Sequence, residues 1–194
     1  MKKIGILASH NGSGFETINK ACNDKVLDAK VVCIITNNSK AGIIKKANDE
    51  NVPSFIVNAK KYPHENLDEK IAKLFIEHEC DYIFCSGYMK MITSGILDHF
   101  KNRVINTHPA ILPSKYGGKG MYGRFVHEAI INNKEKQSGV TIHFVNEVYD
   151  DGEIILTRSL NINENETVET LESRIKSLES LAIVEAFEKL LRNS

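Results

Sequence analysis

Asn106 and His108 stand two residues apart at the end of the apolar run Val104-Ile105, and the chain continues as Pro109-Ala110-Ile111-Leu112-Pro113-Ser114-Lys115-Tyr116. On an extended strand, side chains two apart share a face. An amide beside an imidazole can divide the work of carbonyl chemistry, one holding an oxygen by hydrogen bond and the other passing a proton. Alone, an Asn-x-His reads equally as a helix-entry turn carrying a surface histidine. A second stretch adds a possible anion site. Ile4-Gly5-Ile6-Leu7-Ala8-Ser9 reads as a buried strand and leads through His10-Asn11-Gly12-Ser13-Gly14 into Phe15, Ile18 and Cys22 at helical spacing. Strand, small-residue turn and helix together aim backbone N–H groups at a phosphate. The turn lacks both Gly-x-Gly-x-x-Gly and a Walker lysine, so a plain βα turn without ligand fits it as well.

The elements that must position these residues follow from periodicity. Val31–Thr36 reads as a buried strand, Ser54–Val57 as a short strand and Tyr82–Ser86 as another, and helix-like runs cover 40–50 and 65–79. This alternation predicts right-handed βαβ units on an open, mostly parallel, twisted sheet of Rossmann-like α/β class with helices on both faces. At the end of such a strand lies the crevice where ligands bind. Gly117, Gly118, Gly120 and Gly123 mark a loop over that crevice, followed by a helix with Val126, Ala129 and Ile130 inward. Val140–Val145 and Ile154–Leu156, joined by the acidic turn Glu147–Gly152, read as an antiparallel hairpin near the C-terminal part. One amphipathic helix runs from Thr167 onward. No linker or repeat interrupts the chain, which predicts a single domain over 1–194.

Composition narrows the function classes. Twenty-five basic and 25 acidic residues cancel, which leaves no electrostatic case for nucleic acid or a membrane surface. No apolar run approaches the ~20 residues that span a bilayer. The start Met1-Lys2-Lys3 leads straight into a strand-like run and does not read as a signal peptide. Cys22, Cys33, Cys80 and Cys85 form no Cys-x-x-Cys pair and read as buried thiols rather than metal ligands. Cytoplasm is the compartment this composition suggests.

Four segments in order, the Asn11-Gly12-Ser13 turn, Met89–Ile92, Asn106-x-His108-Pro109-x-x-Leu112-Pro113 and Asp150-x-Gly152, resemble the phosphoribosylglycinamide formyltransferases, the folate-dependent GAR transformylases of purine synthesis. The resemblance runs over nearly the whole chain. It implies a catalytic trio of Asn106, His108 and Asp150, and a ribonucleotide-binding set of Asn11, Gly12, Ser13, Gly14 and Glu179. It implies that 10-formyltetrahydrofolate, the co-substrate, is held by Met89, Lys90, Met91 and Ile92, by Asn106, by Glu147 in the loop 146–149 that closes over the ring, and near its glutamate tail by His64, where some members use an arginine. Two departures stand out: His10 replaces a residue that is often small, and the last helix lacks the Tyr-Pro often found after the position of Glu179.

Formyl transfer to an amine passes through a tetrahedral intermediate bearing an oxyanion, which needs donors aimed where the charge develops. Asn106 and a protonated His108 supply them, and the charge of Asp150 raises the imidazole pKa and collects the amine proton. The resemblance implies no metal, small-molecule substrates and a monomer or homodimer. Read without it, His127 and His143 are structural histidines and Asp151 is solvated. Leu112-Pro113 is a candidate cis bond. Rival readings are a formyltransferase acting on another amine, a formyltetrahydrofolate hydrolase, and a non-catalytic nucleotide-binding module. The first two usually carry a further domain, which 194 residues do not accommodate.

Overall fold

Apolar runs without polar alternation suit strands that are covered on both faces, and the computed structural model builds its sheet from them. It describes residues 1–192, so Asn193 and Ser194, the end of the expected domain, lie outside the described residues. In chain order the elements are β1 (Lys2–Ala8), α1 (Ser13–Asn23), β2 (Ala29–Thr36), α2 (Ile43–Asp49), β3 (Ser54–Ile56), α3 (Leu67–Glu77), β4 (Tyr82–Ser86) and α4 (Ser94–Leu97). They continue with β5 (Val104–His108), α5 (Arg124–Asn132), β6 (Gln137–Phe144), β7 (Ile154–Asn161) and α6 (Val168–Arg192). The strands form one seven-stranded sheet in the order β3-β2-β1-β4-β5-β6-β7. Pairing is parallel from β3 to β5 and antiparallel from β5 through β7.

Alternation along each strand divides the core into two. Ile4, Ile6, Ile34 and Ile105 face α1, α2, α5 and α6, where Phe15, Ile18, Val126, Leu171, Ile175 and Phe187 pack. Leu7, Cys33, Ile35, Ile83 and Val104 face α3 and α4, against Ile71, Phe75 and Ile96. Each such buried side chain contributes roughly 1.5–3 kcal/mol. The chain moves outward from β1 to β3 and then crosses back to β4. Strand order therefore reverses between β1 and β4, and their carboxyl ends open the crevice. Two bonds close its floor: Ser9 N–H reaches the Gly87 carbonyl at 3.3 Å, and Met89 N–H reaches Ser9 Oγ at 2.9 Å.

The structure departs from the sequence reading in places. The one-turn α4 is too short to leave a helical period. β6 begins at Gln137, ahead of the expected Val140, because Ser138 and Gly139 hide the strand. Gly139 is there for space, since a Cβ at that position would sit 2.2 Å from the Arg158 carbonyl of β7. All four cysteines are free thiols. Burial pushes Cys22 up to about 11 and Cys85 up to about 12, which keeps both protonated. Among the described residues no helix is long and apolar enough to cross a membrane.

Candidate active site

The end of β5 is fixed by the strand beside it. Asn106 lies opposite His143 and His108 opposite Thr141 across the antiparallel ladder. Thr141 then clamps the following loop: its Oγ1 accepts from Leu112 N–H at 3.0 Å and donates to the Ala110 carbonyl at 2.8 Å. The Leu112–Pro113 peptide is cis. Further along, the Tyr116 hydroxyl donates to Glu135 at 2.5 Å. The folded-back loop brings the Tyr116 carbonyl to His108 Nε2 at 2.6 Å. A carbonyl can only accept, so Nε2 carries the proton. His108 is 3% exposed and sits behind the crevice wall rather than in it.

Asp150 reaches this histidine from the loop between β6 and β7. Its Oδ2 lies 3.4 Å from His108 Nδ1, and its Oδ1 lies 3.6 Å from His143 Nε2. Gly118 N–H donates to Oδ2 at 2.8 Å. Asp150 adopts φ 55°, a left-handed conformation that aspartate tolerates better than most residues. Two residues on, Gly152 passes so close to β6 that a Cβ there would lie 1.6 Å from the Phe144 carbonyl oxygen. This gives Asp-x-Gly a physical meaning, because the glycine lets the turn press against β6 and the aspartate is carried onto the histidines. Asp151 is exposed.

The electrostatics differ from the sequence expectation in one respect. Burial draws the His108 pKa below the ordinary histidine value and outweighs the opposing pull of Asp150 and of the Tyr116 carbonyl. The net shift is downward, not upward. For Asp150 burial pushes upward, yet the neighbouring His143 and His108 and the bond from Gly118 N–H together hold the carboxyl below its ordinary value. A neutral His108 presents a bare Nδ1 to that carboxylate. A proton taken at Nδ1 turns this opposed contact into a charge-assisted hydrogen bond.

On the α3 side of the sheet a small cavity of about 60 Å³ opens into a groove lined by Cys85, Tyr88, Lys90, Met91, Ile92, Asn106, His143, Val145, Asn146, Val148, Tyr149 and Asp150. Of the residues expected to hold a folate ring, Lys90, Met91, Ile92 and Asn106 line it. Met89 and Glu147 do not, and His64 is expected near the glutamate tail rather than the ring. Glu147 points to solvent beside Val148 and Tyr149, and His64 is exposed in the loop before α3. The lining mixes apolar walls with a few convergent polar groups, which suits a flat heterocycle. Val148 and Tyr149, 58% and 43% exposed, form the outer rim of this groove.

On the opposite face stands the glycine turn. Gly12 caps α1 at φ 63°, and a Cβ there would meet Ile43 at 2.4 Å. Gly14 is packed against Phe84 and Ser86, while Asn11 and Ser13 are exposed. The N–H groups of Ser13 and Gly14, at the start of α1, have no acceptor among the described residues, an arrangement that suits an anion. Glu179 of α6 is half-buried there and takes a hydrogen bond from Thr107 Oγ1 at 3.0 Å. Thr107 is the residue between Asn106 and His108, so the strand end serves both faces.

From the sequence alone His143 reads as a structural histidine. The structure places it in the groove, with Asn106 Nδ2 at 3.4 Å from its Nε2 and with its Nδ1–H donating to the Phe144 carbonyl at 2.9 Å. The signal for it was cross-strand register, which no single-strand pattern contains. His127 is buried with Nδ1 unpartnered, and burial lowers its pKa. No group of three or more His, Cys, Asp or Glu among the described residues is placed to hold a metal ion.

Residues 2–187 match the formyl transferase family. The chain is 34% identical over 186 residues to the chloroplastic phosphoribosylglycinamide formyltransferase of Arabidopsis thaliana, covering 95% of this chain and 63% of that protein. It thus spans a little under two thirds of that plant relative. It is 32% identical over 180 residues to the phosphoribosylglycinamide formyltransferase of Bacillus subtilis, covering 92% of this chain and 89% of that one. The crystal structure of glycinamide ribonucleotide transformylase 1 from Symbiobacterium toebii superposes with a TM-score of 0.91 at 27% identity, covering 100% of this chain and 89% of that one.

Proposed function

The chain belongs to the formyl transferase family, and from that premise we propose that it transfers a formyl group from 10-formyltetrahydrofolate to the amine of glycinamide ribonucleotide, a step of purine synthesis. The observation that carries this reading is the convergence of Asn106, His143 and Asp150 on one end of β5. An apolar groove lies on one face of that strand end and an anion-binding turn on the other. The groove takes the folate, the Gly12–Gly14 turn takes the phosphate, and the amine meets the formyl carbon at the strand end.

In this reading the amine nitrogen attacks the formyl carbon, forming a C–N bond, and the carbonyl pair moves onto oxygen. Asn106 Nδ2 donates to that oxyanion. The Asp150–His108 pair accepts the proton the amine loses, either on the carboxylate or at Nδ1, and the protonated imidazole adds positive charge beside the oxyanion. When the intermediate collapses, the bond to the folate nitrogen breaks and the pair returns the proton to it. One proton leaves one nitrogen and reaches another, so the balance closes without further reactants.

The test is turnover of purified protein with 10-formyltetrahydrofolate, with and without glycinamide ribonucleotide. Tetrahydrofolate release that requires the ribonucleotide, with formylated ribonucleotide as product, is expected. Inorganic phosphate should compete with the ribonucleotide and not with the folate. Equal release without the ribonucleotide would make the protein a hydrolase, and no release at all would leave a binding module.

A further inference from the structure

Thr107 has its side chain on the face of β5 opposite Asn106 and His108, and its hydroxyl donates to Glu179 Oε1 at 3.0 Å. The second oxygen of Glu179 has no protein donor among the described residues. No cation pairs with it either, because the nearest candidate, Lys176, spends its ammonium on Glu172 Oε1 at 2.6 Å. Ser180, the next residue of α6, touches Thr17 of α1 at 3.3 Å, one turn from Ser13. Glu179 therefore stands beside the anion-binding turn. A half-buried carboxylate with one oxygen held and the other bare is costly unless a ligand supplies the missing donor. Burial accordingly raises its pKa, against the pull of the Thr107 bond and the Lys176 charge.

We propose that Thr107 is a positioning residue for the amine substrate: its hydroxyl fixes Glu179 Oε1 so that Oε2 receives a hydroxyl or amine donor of the ribonucleotide. This rests on the assignment of a ribonucleotide to that face. It ties substrate recognition to the strand that carries the reacting groups, so the residue between the two catalytic candidates serves the other substrate. Thr107 then acts through Glu179 alone and does not touch the formyl group.

The experiment is a kinetic cycle on the full chain. Thr107→Val keeps the β-branched shape and removes the donor, and Thr107→Ser restores the hydroxyl. Thr107→Val is expected to raise KM for glycinamide ribonucleotide roughly 10–150-fold, the range for losing one hydrogen bond to a charged group. The folate KM should stay within about twofold, kcat at saturation should hold, and Thr107→Ser should recover most of the loss. In a Glu179→Ala background the Thr107→Val change should have no further effect on that KM. An unchanged ribonucleotide KM in Thr107→Val, or an equal rise in both backgrounds, overturns the proposal while leaving the activity intact. A wild-type protein that ignores the ribonucleotide overturns the functional reading and this inference with it.

Discussion

Replacing Gly152 by alanine perturbs the site without touching any group in it. Gly152 lies outside the left-handed region of φ, so only space requires a glycine. The added methyl would begin 1.6 Å from the Phe144 carbonyl oxygen and 2.7 Å from its carbon. Non-bonded heavy atoms settle near about 3.5 Å, so the two segments must separate by roughly 1.5–2 Å. Phe144 cannot yield, because it is paired with Ile105 of β5 and its carbonyl already accepts from His143 Nδ1 at 2.9 Å. The turn must move instead and take Asp150 with it. A displacement of that size exceeds the slack in the 2.8 Å bond from Gly118 N–H. A misplacement of about 1 Å at a reacting group can cost on the order of 10² in rate. Gly152→Ala should therefore lower kcat about 10²-fold while destabilising the fold by about 1–3 kcal/mol, the usual range for overpacking. Steady-state kinetics with both substrates and urea denaturation near neutral pH measure the two quantities. A Gly152→Ala protein with wild-type kcat would refute the claim that close passage of this turn places Asp150.

Asn106→Ala should lower kcat by about two orders of magnitude, the usual loss for an oxyanion donor, and His108→Ala by about as much through loss of the proton-accepting Asp150–His108 pair, with near-normal turnover removing that residue from the mechanism. Asp150→Asn should lower the His108 titration further and depress activity, while Asp151→Asn leaves both alone; NMR titration of His108 in the two variants decides which carboxylate faces it. His108 and His127, both buried, have folded-state pKa values below the ordinary value. Their stabilising effect is therefore complete above about pH 6.5. It is lost as pH falls through the window beneath, where the unfolded chain binds protons that the fold refuses. The slope cannot exceed about 1.4 kcal/mol per pH unit for each histidine. The lowered Asp150 carboxyl adds its own loss further down, as pH falls from the ordinary carboxylate value through its folded one. Urea midpoints measured from neutral to mildly acidic pH should decline, less so in His127→Gln, and a flat profile would contradict the burial argument.

Much of this arrangement is legible in the sequence because it depends on local pattern. Unbroken apolar runs marked β1, β2 and β4, and the glycine turn before α1 announced itself by residue type. The hidden parts depend on contacts between distant segments. The groove position of His143 follows from its register against Asn106. The burial of His108 follows from a backbone carbonyl eight residues away, held there by Thr141 and Glu135. Both are facts about pairing, to which composition and period are blind. The resemblance implies the folate segment, but only the fold separates Met91 and Ile92, which line the groove, from Met89 and Glu147, which do not.

The hold of Gly118 on Asp150 is made by a main-chain amide, and that shapes what mutagenesis can see. The loop after Tyr116 offers its N–H whatever side chain Lys119 carries, while Met121 and Tyr122 are held by packing of their own rather than by this bond. A side-chain scan would pass over the bond's contribution. Changes of length or of backbone conformation would expose it, because they move the amide itself.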